Sequence, residues 1–240
     1  MNYTWNWGIF QEPSPEGAGT YADMLLSGLS WTIATALASW VIAFSLGSVI
    51  GVMRTLPSRA ANAVGAAYVE LFRNVPLLVQ MFLWYFVLPE LLPAGLGTAV
   101  KQLPDAPFYT AVLCLGFFTA SRVAEQVRAG IQSLPRGQRM AGTAMGFTTV
   151  QTYRYVLLPN AYRIILPPLT SEFLNNLKNT SVALTIGLLE LTARARSMQE
   201  FSFQVFEAFT AATILYLLLN LVVIAGATLL ERTVAVPGAR

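Results

Sequence analysis

Thirty consecutive residues, Met24 to Met53, carry no charge. Wound into a helix at 1.5 Å per residue, such a run measures about 45 Å, and the hydrocarbon core of a bilayer is about 30 Å thick. The rest of the chain excludes the other fate of a long apolar run, burial inside a soluble domain. Of 240 residues 55% are apolar or aromatic and 11% are charged, where soluble domains carry roughly 25% charge. Too few charges remain to cover a water-facing surface, and the chain is too apolar to stay disordered. It has no His and one Cys, Cys114. A Ser-His-Asp triad, a Cys-His pair, a Cys/His zinc site and an intrachain disulfide are therefore excluded. The net charge of +3 is not a nucleic-acid signal, because the arginines flank apolar segments, where membrane topology accounts for them.

Five segments are expected to cross the bilayer in one all-α membrane domain: residues 24–53, 75–92, 108–131, 164–189 and 205–230. The N-terminal tail holds Glu12, Glu16 and Asp23 but no Lys or Arg, and so lacks the basic region of a cleavable signal peptide. Trp5 and Trp7 in it suit a membrane interface. Basic residues then alternate by loop: Arg54 and Arg59, Lys101 alone, the run from Arg128 to Arg163, Arg194 and Arg196, and finally Arg232 and Arg240. With the N-terminus outside and the C-terminus in the cytoplasm, the inner side collects nine basic residues and the outer side three, with Arg73, Arg122 and Lys178 at membrane depth. The positive-inside rule selects that orientation.

The longest polar connection, 133–163, contains helix punctuation. Pro135 suits a first helical position, and Gly146 stands where a helix-closing glycine belongs. Thr148 and Gln151 have capping-box spacing. Val150, Tyr153 and Leu157 fall on one apolar face, and Pro159 is expected to end the second helix. A helix, a glycine turn and a helix can form a protrusion that docks into a cytoplasmic partner, with rim arginines giving charge complementarity. They can equally form an amphipathic hairpin lying on anionic headgroups.

The stretch Gly137-Gln138-Arg139-Met140-Ala141-Gly142-Thr143-Ala144-Met145-Gly146-Phe147, followed by Tyr155 to Arg163, resembles the EAA loop of ABC-importer permeases. Ala141, Gly146, Leu158 and Pro159 fit the pattern. Met140 stands where that family usually has Glu, and Gly142 where it often has Ala, so a Glu-dependent contact is not expected here. Val69 to Gln80 and Leu177 to Ser181 resemble the second- and fourth-span signatures of the polar-amino-acid permeases. The opening Trp5 to Phe10 and the segment 121–139 resemble the glutamate/aspartate-importing branch found in Gram-negative bacteria. The resemblance implies a type I ABC-importer permease fold in the bacterial inner membrane. It also implies a loop, including Arg139, Ala141, Gly142, Gly146, Leu158 and Pro159, that couples to ATPase subunits. The implied partners are a homologous permease (a paralogue or a second copy), two ATPase subunits, a periplasmic amino-acid-binding protein and membrane lipid. ATP and its magnesium would belong to the ATPase, since this chain has no Gly-x-x-x-x-Gly-Lys-Ser/Thr phosphate loop.

Ionisable residues inside a span cost at least ~2.5–3.5 kcal/mol at the bilayer centre and need a partner or a wet cavity. Lys178, about halfway along the fourth segment, has Asn175, Asn176, Asn179, Thr180 and Ser181 around it. We read Lys178 as the group that attracts a substrate carboxylate, with Asn179, Thr180 and Ser181 as hydrogen-bonding partners. The alternative is a buried ion pair with Glu172 or with an acid on another helix. Arg122 is a second candidate for substrate contact, although an ion pair with Glu125 at i+3 is the favoured reading there. Glu70 and Arg73 are expected to brace an interfacial helix, and Gly47 and Gly51 have the spacing of a close helix contact. Two rival classes remain: a stand-alone secondary transporter or channel, and a membrane scaffold that anchors a cytoplasmic protein. No internal repeat of the kind secondary transporters often show is detected.

Overall fold

The first long helix, α1 (Tyr21–Met53), begins at a reciprocal cap. The Thr20 backbone N–H donates to Asp23 at 2.8 Å, and the Asp23 N–H donates to the Thr20 hydroxyl at 3.2 Å. The computed structural model describes residues 3–15, 17 and 19–234, so Glu16 and Arg240 lie outside the described residues. A 3₁₀ turn, Trp7–Gln11, precedes α1. After α1 comes α2 (Arg59–Asn74), whose start is capped by the Ser58 side chain. The Asn74-Val75-Pro76 break follows, and then α3 (Leu77–Phe82), a π turn (Leu83–Val87) and α4 (Leu88–Leu91). Next are α5 (Ala94–Lys101) and α6 (Ala106–Ser133). The loop contains α7 (Arg136–Ala144), α8 (Thr149–Thr152) and a second π turn (Tyr153–Leu157), which runs straight into α9 (Leu158–Asn179). A 3₁₀ turn (Thr180–Ile186), α10 (Leu191–Ser202) and α11 (Val205–Val234) complete the chain.

By length and apolar composition, α1, α6 and α11 can each cross a membrane, and the bent pair α2 with 77–91 brings the number to four. The expected crossing at 164–189 is not a single apolar helix. Its α-helical part stops at Asn179 and contains Pro167 and Pro168, while Glu172, Asn175, Asn176 and Lys178 dilute its hydropathy.

Both π turns lead into Leu-Pro, at Leu88-Pro89 and Leu158-Pro159. Proline has no N–H and its ring crowds the carbonyl four residues back, which normally breaks a helix. The widened turn removes that conflict: the N–H of Leu88 reaches the Leu83 carbonyl and the N–H of Leu158 reaches that of Tyr153. Pro159 therefore does not end the second loop helix, contrary to the expectation from sequence.

The chain forms two compact units. The first comprises Met1–Ser39, Pro76–Leu115 and Asn175–Val222; the second comprises Trp40–Val75, Gly116–Leu174 and Val223–Arg240. In the first unit Leu191, Ala195, Met198, Ala208 and Ala212 pack with Tyr21, Met24, Leu25 and Ile9. Met81, Cys114, Leu115 and Ile186 form a neighbouring cluster there. In the second unit Val123, Val127 and Ile131 of α6 pack on Tyr153, Leu157, Ala161 and Ile165. Gly47 and Gly51 make the expected close contact: a Cβ on either would meet α6 at 2.7 Å, against Ala120 and Val123 or against Val127. The tail is pinned to Glu207 by the Asn6 N–H at 2.7 Å and by the Tyr3 hydroxyl. That bond to the carboxylate pushes the Tyr3 phenol up to about 12.

Candidate functional site

The loop in the second unit is closed by backbone chemistry that its sequence dictates. Gly146 has φ +78°, which an L side chain adopts only at a cost. The N–H of Phe147 reaches the Gly142 carbonyl at 3.0 Å, and the N–H of Gly146 reaches that of Thr143 at 3.0 Å. This pair of bonds is the Schellman closure. The next helix opens with the expected capping box, in which the Thr148 N–H donates to Gln151 at 2.8 Å and the Gln151 N–H to the Thr148 hydroxyl at 3.3 Å. Gly142 is buried, and a Cβ there would stand 3.0 Å from the Thr152 side chain. The two arms of the hairpin can approach this closely only because position 142 has no side chain.

The hairpin is anchored from below. The Tyr153 hydroxyl donates to the Thr55 carbonyl at 2.8 Å, and Tyr153 and Leu157 are buried. Val150 departs from the expected apolar face: it is 74% exposed, with Met140 at 69% and Met145 at 72%. Pro135 caps α7 rather than occupying its first turn. Ala141 and Arg139 are exposed, Leu158 is half-buried and Pro159 is exposed at the start of α9. The product is a hairpin whose outer surface, among the described residues, is apolar, basic and exposed.

The polar turn belongs to the first unit. Lys178 lies in the last turn of α9, not midway along a continuous span. It is exposed and makes no hydrogen bond or ion pair among the described residues. Its neighbours are largely committed inward. The Asn176 amide donates to the Ala36 carbonyl at 3.0 Å and to the Ser39 hydroxyl at 2.9 Å, tying α9 to α1. The Thr180 hydroxyl donates to the Leu177 carbonyl at 2.7 Å, and the Ser181 hydroxyl to the Lys178 carbonyl at 2.8 Å. Those bonds satisfy carbonyls that a helix end leaves open. Asn179 is half-buried and begins the 3₁₀ turn, which stops at Gly187 with φ +90°. Lys178 is thus the member of the quartet whose side chain is not engaged among the described residues.

Arg122 lies in the second unit and does not pair with Glu125. Its guanidinium sits 5.1 Å from the centre of the Phe118 ring, and Glu125 is taken by Arg54 and by Arg128 at 2.8 Å. The chain brings Arg54 to Glu125 from 71 residues away, a contact that local spacing cannot reveal. Glu70 likewise bonds Asn74, at 2.9 Å, in place of Arg73. A further pair of acids was not singled out from sequence. Glu190 caps α10 through the N–H groups of Thr192 and Ala193 and accepts from the Tyr216 hydroxyl at 2.9 Å. Glu207 accepts from the N-terminal tail.

Long apolar helices and an exposed, glycine-closed hairpin together define the core of a multi-helix membrane protein. Residues 43–236 match the family described as binding-protein-dependent transport system inner membrane component. The chain belongs to this family: it is the multi-pass, inner-membrane permease subunit of an ABC transporter, whose ATPase activity resides in partner subunits. It is 52% identical, over 99% of its length and 98% of the relative's, to the glutamate/aspartate import permease protein GltJ of Escherichia coli K12. It is 33% identical, over 88% of its length and 93% of the relative's, to the probable glutamine ABC transporter permease protein GlnM of Bacillus subtilis. A solved amino acid ABC transporter with histidines superposes with a TM-score of 0.75 at 30% identity, covering 89% of this chain and 95% of that one. The inward-facing MetNI methionine ABC transporter shares the fold, with a TM-score of 0.74 at 20% identity over 90% of this chain and 98% of that one.

Proposed function

We propose that this chain is the permease subunit of an ATP-driven importer of glutamate and aspartate. The observation that carries the substrate is the 52% identity, maintained over 99% of the chain, to a permease named for those two amino acids. The hairpin around Gly146 carries the closing motion of the ATPases into the helices. The membrane part then alternates between outward and inward access, and Lys178 meets a substrate carboxylate on the way. Asn179, Thr180 and Ser181 shape that turn.

Family membership implies ATPase subunits and a binding protein; two ATPases and a second, homologous permease complete the assembly we propose. The chain crosses the membrane five times with its N-terminus outside, the fourth crossing being α9 with its 3₁₀ continuation. Charge distribution supports this topology. Of the nine basic residues assigned to the inner side, the eight that are described fall in the second unit, and the three assigned to the outer side fall in the first.

The test is purification of the whole complex, identification of its binding protein, and reconstitution into vesicles. ATP-driven, vanadate-sensitive uptake of glutamate is expected, with competition by aspartate. Gradient-driven uptake by the isolated chain would refute the importer, and a binding protein that prefers a neutral amide would refute the substrate.

A further inference from the structure

A cavity of about 330 Å³ with a mixed lining lies in the second unit beneath the hairpin: Arg54, Asn62, Arg136 and Arg139 face it beside apolar groups such as Leu134 and Leu157. Its positive charge is far from neutralised. Glu125 is the nearby acid, and its carboxylate is shared by Arg54 and Arg128. The sequence contains no Asp or Glu from 126 to 171. Among the described residues the Arg136 side chain makes no ion pair or hydrogen bond, and the Arg139 guanidinium makes neither but lies over the ring of Tyr153, at 5.8 Å. The Nε of Arg54 is enclosed and has no acceptor, which costs free energy unless a ligand supplies one.

A second feature opens on the same space. The N-terminus of α7 is capped by Pro135, which offers no side-chain acceptor, and its first turn holds no acid. The Gln138 N–H is bonded to the Pro135 carbonyl at 3.0 Å, and the N–H groups of Arg136 and Gly137 and the positive end of the dipole remain available to an anion.

We propose that this cavity binds a phosphate group. Guanidinium forks suit both carboxylate and phosphate. Here, however, donors come from the end of α1, from two arginines and from the start of α7, an arrangement suited to an anion with three or four oxygens rather than the two of a planar carboxylate. A bound phosphate would cross-link α1 to α7 and stiffen the hairpin at its base. The phosphate has two possible sources, a lipid headgroup of the inner leaflet or a free phosphate in the cytoplasm.

Hydrogen exchange of the purified, nucleotide-free importer distinguishes the sources and tests the site, read on the permease peptide spanning 134–140. Inorganic phosphate at about ten times its Kd, against chloride of equal ionic strength, is expected to slow local opening about tenfold if the ligand is free phosphate. If the ligand is a headgroup, the same slowing appears in phosphate-free nanodiscs containing phosphatidylglycerol and is absent in pure phosphatidylcholine. Arg136→Gln is expected to abolish the slowing, Arg136→Lys to retain part of it, and Arg154→Gln, a residue outside the cavity lining, to retain it fully. No slowing with either source overturns the proposal, as does slowing that survives unchanged in Arg136→Gln.

Discussion

The two units carry opposite charge. Among the described residues the second holds ten arginines against four acids, a surplus of six, whereas the first holds four basic residues against seven acids, a deficit of three. They also use their acids differently. In the second unit Glu125 meets two guanidinium groups. In the first, Glu190 and Glu207 are fully buried and meet neutral donors: backbone N–H groups and tyrosine hydroxyls. The basic unit carries the exposed hairpin, and the acidic unit carries a polar turn whose lysine is unengaged among the described residues. A cation is scarce in the first unit and common in the second, so equal substitutions in the two should have unequal consequences.

The largest effect is expected where charges meet charges. Glu125→Leu leaves Arg54 and Arg128 without their shared acid and should cost about 3 kcal/mol of stability, seen as a lower midpoint in thermal unfolding of the solubilised complex. An unchanged midpoint would mean that the pairing contributes nothing. Lys178→Met should lower uptake efficiency for glutamate about tenfold or more, the worth of one charged hydrogen bond to a carboxylate, with the ATPase subunits still co-purifying. Arg122→Ala, in the arginine-rich unit, should leave uptake within about twofold on the same argument; if Arg122→Ala proves the more damaging, the contrast between the units is wrong. Gly146→Ala places a Cβ in the left-handed region at a cost of roughly 1.5 kcal/mol. Its signature is a falling ratio of substrate imported to ATP hydrolysed. Glu190→Gln should cost less stability than Glu125→Leu, about 1 kcal/mol, because its partners are neutral: the amide oxygen keeps one set of donors and the NH2 group leaves a single backbone N–H unpaired. A loss at Glu190 equal to that at Glu125 would remove the distinction drawn between the two kinds of acid site.

Much of the hairpin was legible because its signals are local. A glycine after a helix and a Thr-x-x-Gln pair act through bonds three to five residues away, and both formed as expected. The polar turn was legible only as composition. Its residues close α9 instead of standing midway along a span, and Asn176 points its amide at Ala36 and Ser39, 140 and 137 residues earlier, so a stretch read as ligand-facing is partly structural. Arg122 and Glu125 had the right spacing to pair and did not, because Arg54 and Arg128 occupy the carboxylate. Pro159 was expected to stop a helix, and a π turn lets the helix continue.

The sequence by itself determined that this chain belongs in a membrane, that it lacks the residues for its own nucleotide site, and where its exposed hairpin turns. Each of these follows from composition or from interactions within one helical turn. Only the tertiary structure decided which charges neutralise one another, which polar side chains are spent inside the protein, and how the helix passes through Leu158-Pro159. Those outcomes depend on competition among groups far apart in the chain, and a carboxylate or an amide goes to whichever donor the packing brings within about 3 Å.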